Sequence, residues 1–564
     1  MGRPRKKHKP GVAGPSRRHF IQRVGGSALA LGTVPLMQAC GGGDGQMLPT
    51  PPGTGVFRHG VASGDPLADR VILWTRVTPP TGAPVALDCV VATDTALSRV
   101  VARLSLATDA SRDHTVKVDV AGLQPDTTYY YRFTADGVAS PIGRTRTLPV
   151  GTASRMRIAV VSCSNFADGF FNAYRRVAER ADLDLVVHLG DYFYEGGNAS
   201  GSYRAVEPDG ELVTLADYRA RHALHKRDGD LQELHRQHPM VAMWDDHDIV
   251  SDASATGSPS HAAGAEGTWA DRVGNALRAY TEWMPVRVAN PADLRQAYRG
   301  FAFGNLVDLL VLETRVAGRS PQLPGDATLP GTFRQRGAFT DPSREMLGRV
   351  QHDWVAGRLR TSTARWKFLA QGVMFAQLKI QAQRNADGGG LYANADQWDG
   401  YQPARDRLFQ VLTGDGVAPP VRNVVFLTGD AHSAWAADLT QDPNNGDVGR
   451  GGYDPDTGAG SVAVEFIGTS VTSPMILDTH GLAESLLRSV NPHLKYIDLA
   501  RRGYLLIDAD ASRVVGEWWF VDTVEVPSNG QAFGAAFQVR DGAAHMERAE
   551  RTSPRANPPA LAPA

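Results

Sequence analysis

Leu183-Asp184-Leu185-Val186-Val187-His188-Leu189-Gly190-Asp191-Tyr192-Phe193-Tyr194-Glu195 is an apolar run broken by glycine and followed at once by carboxylate and phenol groups. An apolar run of about four to eight residues before a turn signal reads as a strand buried on both faces. The same pattern recurs at residues 157–162, 240–244, 306–312, 366–370 and 424–428. Between the first two runs, Phe171, Tyr174, Val177 and Ala181 fall at helical spacing. Apolar strands alternating with amphipathic helices argue an α/β core.

Polar clusters follow five of these runs directly. They are Ser162-Cys163-Ser164-Asn165, Gly190-Asp191-Tyr192-Phe193-Tyr194-Glu195, Trp244-Asp245-Asp246-His247-Asp248, Glu313-Thr314-Arg315 and Gly429-Asp430-Ala431-His432-Ser433. Ligands of α/β sheets bind outside the carboxyl ends of the strands, so neighbouring strands would bring these clusters to one place. Singly, each has a bland reading: Asp-x-x-Tyr is commonly a capped turn, Asp-x-His a satisfied loop, and Asp-Asp-His-Asp a solvated helix start. Their joint occurrence at successive strand ends points to metal. Thiolate and phenolate together favour a ferric ion, and the surplus carboxylates suit a second, harder cation.

The rest of the chain divides around this core. Residues 55–149 read as a small β-sandwich, with strands at 70–77, 85–92 and 115–120. Its turn followed by Thr128-Tyr129-Tyr130-Tyr131-Arg132-Phe133 resembles the tyrosine-corner strand of immunoglobulin and fibronectin type III sandwiches. Residues 150–550 are the expected catalytic domain, interrupted by Gly-, Ser- and Asp-rich loops at 251–268, 318–338, 384–400 and 441–460. The Pro- and Ala-rich residues 551–564 are expected to be disordered. Residues 41–54 read as a flexible linker. In residues 1–40, Ser16-Arg17-Arg18-His19-Phe20-Ile21-Gln22 has the twin-arginine pattern before a weakly apolar stretch, which implies export by the twin-arginine translocase to the periplasm or beyond. Met37-Gln38-Ala39-Cys40 resembles a lipoprotein cleavage box but lacks its usual Leu and small residue, so a lipid anchor at Cys40 stays open. Without those 40 residues the chain carries 51 basic against 60 acidic residues, which excludes global attraction to nucleic acid or anionic lipid. Cys89 lies in an apolar run and reads as a buried small hydrophobe.

Gly190-Asp191-x-x-Tyr194, Asp246-His247 and Gly429-Asp430-x-His432 resemble the motif series of the purple-acid-phosphatase-type metallophosphoesterases. The fuller versions of these motifs resemble the PhoD-like alkaline phosphatases more closely. So do Phe57-x-x-Gly60-Val61-Ala62-Ser63-Gly64-Asp65-Pro66, Trp398-Asp399-Gly400-Tyr401 and Asn491-Pro492-His493. The resemblance implies a metallophosphoesterase-type α/β sandwich with an N-terminal immunoglobulin/fibronectin-like β-sandwich domain. It implies Fe(III) on Cys163, Asp191, Tyr194 and His432, with Asp191 bridging to Ca2+ on Asp246 and Asp430. The wider superfamily carries Asp, Asn and His where this chain has Cys163, Asp246 and Asp430. The last two exchanges add carboxylate and favour calcium over zinc. The separate Val-x-x-His motif has no clear match.

Such a centre suits phosphate mono- and diesters, since paired cations acidify a water and clamp the attacking and leaving oxygens. His247, beside Asp246, is the candidate acid for the leaving group. Arg315 would either grip phosphate oxygens or sit in a structural ion pair, and Asn165 and His493 are weaker candidates for contact with phosphate or metal. Two rivals remain: a phospholipase D-type phosphodiesterase on the same metals, and a cell-surface binding protein with metals as structural staples.

Overall fold

The computed structural model of the protein describes residues 55–79, 82–475 and 481–563. The Arg17-Arg18 pair and Cys40 lie outside the described residues. Two sheets form the centre. The larger runs from edge to edge as Glu547–Arg548, Gln531–Arg540, Arg513–Val521, Gly503–Asp510, Arg155–Val161, Leu185–Leu189, Pro239–Met243, Val61–Gly64, Arg70–Arg76 and Thr115–Ala121. The smaller runs as Arg299–Phe303, Val307–Val311, Trp366–Gln371, Val424–Thr428, Ser461–Ile467, Ala434–Thr440 and Leu494–Asp498. In each, the strands that lead into the polar clusters are mutually parallel.

Side-chain alternation explains the layering. Ile158, Val160, Val187 and Val241 face Leu309, Phe368, Val425 and Val464 of the smaller sheet in one shared core. Ala159, Val161 and Val186 point the other way and pack against Tyr174, Val177, Leu231 and Leu234 from the covering helices Asn172–Ala178 and Gly229–Gln237. Leu310, Leu369 and Phe426 do the same against the helices Arg349–Thr361 and Gln402–Thr413. Strands covered on both faces need near-continuous apolar sequence, which is the pattern of Leu183–Leu189 and its counterparts.

Two expectations are corrected. The N-terminal β-region has the two layers of a sandwich, but one of them is continuous with the large sheet of the core. Val85–Ala92, Val100–Thr108 and Thr128–Ala135 form a sheet of their own, but Val61–Gly64, Arg70–Arg76 and Thr115–Ala121 extend the large catalytic sheet. Val61–Gly64 pairs in parallel with Pro239–Met243, Ser63 opposite Pro239 and Gly64 opposite Met240. The two layers of this region share the core of Val71, Leu73, Cys89, Tyr131 and Phe133. Cys89 is fully buried there, and burial pushes its thiol up to about 12. Tyr129 accepts a hydrogen bond from the Gln124 backbone at 2.8 Å, fixing the corner before its strand.

The second correction concerns the tail. Residues 551–563 carry no regular secondary structure yet are bound along their length. Arg555 forks onto buried Asp184 at 2.7 and 2.8 Å. The Ser553 carbonyl accepts from Arg157, and Ala562 exchanges hydrogen bonds with Gln237. Composition alone predicts disorder because Pro and Ala offer little to bury; arginine pairing and backbone carbonyls hold the segment instead. Among the described residues, no helix is long and apolar enough to cross a membrane.

Candidate metal centre

The carboxyl ends of both sheets meet at one point. Cys163 follows Arg155–Val161, Asp191 follows Leu185–Leu189, Asp245 and Asp246 follow Pro239–Met243, and Asp430 and His432 follow Val424–Thr428. Cys163, Asp191, Asp430 and His432 all have left-handed backbones, with φ of 60°, 52°, 57° and 53°. That conformation costs a non-glycine residue roughly 1–2 kcal/mol, and strain of this kind gathers at functional sites. It turns each chain sharply so that the side chain aims across the strand ends. The loops lock together: the Cys163 N–H donates to the Gly190 carbonyl at 3.1 Å and the Ser164 N–H to the Asp191 carbonyl at 2.9 Å. Gly190 permits this, since a Cβ there would lie 2.5 Å from the Asp245 Cβ.

Donor atoms of Cys163, Asp191 and His432 lie within 4.8 Å of one another, and so do those of Asp191, Asp245, Asp246 and Asp430. Asp191 belongs to both groups, and to a third with Asp246 and His247. The Tyr194 hydroxyl is 2.8 Å from Asp191 Oδ2 and 3.0 Å from His432 Nε2. His432 Nδ1 lies 2.9 Å from the Pro474 carbonyl oxygen, so it carries the proton and Nε2 presents its lone pair to the cluster. The donor set therefore fits two cations side by side, one among sulfur, phenol and imidazole and one among carboxylates.

Electrostatics ask for those cations. Burial pushes the Asp191 carboxyl well above its usual range, with Asp246 and Asp245 adding to the effect against His247. Burial likewise raises Asp245 to about 6, opposed by Arg315. Burial and the negative charge of Asp191 hold the Cys163 thiol well up. Ligands in such a site lose their protons on binding a metal, so metal affinity and deprotonation are coupled.

His247 sits at the edge of the cluster, its ring 4.2 Å from that of Tyr194. Its Nδ1 is held 2.7 Å from Glu195 Oε2. Burial alone would lower the imidazole, but the carboxylates of Glu195, Asp246 and Asp191 raise it well above its ordinary value. Glu195 is missing from the sequence expectation, although it follows Tyr194 directly. Asp245 is missing too, because nothing in an Asp-Asp pair says which member faces inward.

Arg315 sits in a buried ion pair, the second of the two roles considered for it. Its buried guanidinium is bound by Asp245 at 2.5 and 2.8 Å and by Asp396 at 2.8 and 3.0 Å, with Asp246 3.2 Å away. It is the resident counter-cation of the carboxylates, and removing one partner of a buried pair of this kind typically costs about 3–5 kcal/mol. His493 is not at the cluster; its Nε2 bonds the Gln377 carbonyl at 2.9 Å. The Asn165 side chain accepts from the Ala167 N–H at 3.1 Å. Trp398 and Asp399 are scaffold, donating to Gln371 and accepting from the Leu378 N–H.

An α/β double sheet brings thiol, phenol, imidazole and carboxylate groups together at its strand ends, an arrangement suited to metal-assisted hydrolysis. The comparisons with known proteins are specific. The family described as PhoD-like phosphatase matches residues 158–518, and the N-terminal domain of PhoD-like phosphatases matches residues 45–149. The chain is 35% identical over 508 residues to alkaline phosphatase D of Bacillus subtilis (strain 168), covering 87% of this chain and 81% of that protein. The solved structure of PhoD superposes with a TM-score of 0.76 at 31% identity, covering 89% of this chain and 93% of that one. The chain belongs to the PhoD-like phosphatase family, and is a phosphoester hydrolase.

Beneath the loop of Asp191 and Tyr194 lies a buried cluster of basic groups. Lys226 is buried, its Nζ 4.5 Å from the Trp74 ring centroid and 3.0 Å from His235 Nε2. Among the described residues it has no carboxylate in a salt bridge. His235 also meets the Tyr192 hydroxyl at 2.9 Å, and His222 packs edge-on against Phe193. Burial pushes Lys226 well below its ordinary 10.5, and pushes His222, His225 and His235 well below 6.5 and His188 to about 3. Bases with depressed values contribute stability that is full above the unfolded value and lost as pH falls toward the folded one. Lys226 therefore makes stability rise with pH up to 10.5, by at most about 1.4 kcal/mol per unit, and the histidines add a further loss below 6.5. Replacing Lys226→Met should raise stability at neutral pH and flatten its rise from neutral pH toward 10.5, measured by urea unfolding across pH. An unchanged slope would show that Lys226 is charged in the folded protein.

Proposed function

We propose that the protein is an exported, metal-dependent phosphoesterase with phosphomonoesterase and phosphodiesterase activity. In this reading Cys163, Asp191, Tyr194 and His432 would hold Fe(III), and Asp191, Asp246 and Asp430 would hold Ca2+. The observation that carries it is Asp191, shared by the thiol–imidazole group and the carboxylate group. The Ser16–Gln22 twin-arginine pattern supports export, and the similarity to the Bacillus alkaline phosphatase D supports an alkaline phosphatase.

When bound, the cations supply Lewis-acid activation of water and charge for in-line displacement at phosphorus. The chain's own groups do the rest. Asp191 fixes the spacing of the two sites. Glu195, bonded to Nδ1, orients His247 beside Asp191 and Asp246, where the imidazole can deliver a proton to the departing alkoxide. Arg315 limits the repulsion among Asp245, Asp246 and Asp430 without leaving the interior.

The direct test assays purified protein on a chromogenic phosphomonoester and a bis-ester before and after calcium chelation. Activity on both should vanish and return with calcium; full activity in calcium-free protein sinks the calcium assignment. His247→Ala should lower turnover by roughly 10²–10⁴-fold with metal content intact, and the loss should shrink for acidic leaving groups that need no proton. Equal losses across leaving groups would remove the acid role. Cys163→Ser should lower iron content and shift the visible thiolate and phenolate charge-transfer absorption of the protein. A colourless, iron-free wild type with full activity would overturn the iron assignment.

A further inference from the structure

The Gly64-Asp65-Pro66 motif takes no part in the chemistry above, yet its packing is tightly determined. A Cβ at Gly64 would lie 2.4 Å from the Pro285 carbonyl oxygen and 2.5 Å from that of Met240. Only glycine lets Val61–Gly64 lie this close to Pro239–Met243. Asp65 follows with a left-handed backbone, φ 42°, and no exposed surface. Its N–H donates to the Met240 carbonyl at 3.1 Å. Its carboxylate accepts from Arg299 Nε and Nη2, both at 2.8 Å, and from the Arg287 N–H at 2.6 Å.

The same Arg299 Nη2 donates to the Ala242 carbonyl at 2.6 Å. The pairing between Val61–Gly64 and its neighbour stops at Gly64 and Met240. Beyond that point the Ala242 carbonyl is taken by Arg299 in place of a strand partner. One residue later the strand ends at Met243, and the chain continues into Trp244, Asp245 and Asp246. The fork matters because a bidentate arginine–carboxylate pair fixes direction as well as distance.

We infer that Asp65 is a positioning residue for the carboxylate half of the metal centre: through Arg299 it fixes the end of the strand Pro239–Met243 and hence the approach of Asp245 and Asp246 to Asp191 and Asp430. The N-terminal region thereby acts on the metal centre from outside the cluster. This rests on the reading that Asp246 and Asp430 hold the second cation. It predicts a local effect. The thiol–imidazole half hangs on Arg155–Val161 and Val424–Thr428, which Asp65 does not touch.

The test uses the full chain, loaded with iron and stripped of calcium. Calcium binding is followed by calorimetry, and amide exchange by mass spectrometry on peptides spanning 239–250 and 424–433. Asp65→Asn keeps the shape but removes the charge that orients Arg299. It should weaken calcium binding at least tenfold and speed exchange in 239–250, leaving iron content and exchange in 424–433 unchanged. Arg299→Lys keeps a cation without the fork and should act in the same direction more mildly; it decides the matter if Asp65→Asn fails to fold. A merely structural role would lower the melting temperature alone, and unchanged calcium affinity and exchange in the folded variants would overturn the inference. Wild-type protein that binds no calcium would remove the cation assignment instead, and the exchange comparison then decides the positioning role by itself.

Discussion

Four carboxylates buried within one small volume set the terms for everything around them. Asp191, Asp245, Asp246 and Asp430 cannot all be ionised together without positive charge close by. Among the described residues Arg315 pairs with Asp245, Asp246 and Asp430, and His247 lies beside Asp191 and Asp246. Holding like charges together also requires a frame that does not relax. Left-handed turns, interlocked loops and a glycine against Asp245 serve that purpose. The two-sheet core is what makes such strained turns sustainable, since each is anchored on a strand buried on both faces.

The sequence made the strands legible because burial on both faces demands apolar runs, and the polar clusters after them announced the site. Cys163, Asp191, Tyr194, Asp246, Asp430 and His432 all lie where those runs suggest. What the sequence concealed was partnership. Asp245 and Asp246 are adjacent and chemically identical, and only the fold tells which face each takes. Arg315 has the right chemistry for phosphate, but its donors are committed to Asp245 and Asp396 across long stretches of chain. Local pattern likewise found Arg70–Arg76 and Thr115–Ala121 but not Val61–Gly64, and did not reveal that all three continue the catalytic sheet, because pairing is a long-range property. The tail escaped for a related reason: its anchors, Asp184 and Gln237, are remote in sequence.

The loop between Asp191 and Glu195 separates two contrasting environments. One side faces carboxylates that need positive charge, and the other faces Lys226 and several histidines whose basicity burial lowers. Aromatic rings of Tyr192 and Phe193 fill the space between. Buried basic groups thus pack against the back of the loop whose front carries the acidic cluster.

The order of strands in the larger sheet has a consequence for biosynthesis. Arg155–Val161 is flanked by Gly503–Asp510, which is made more than three hundred residues later, while Pro239–Met243 is flanked by Val61–Gly64, made long before it. A ribosome must therefore deliver residues of both groups before the central strands have neighbours on each side. Until then their edges remain open to pairing with other chains. High sequence separation between partners also slows closure. The loops that carry Cys163, Asp191, Asp245 and Asp246 are consequently made before the strands that support them have neighbours on both sides.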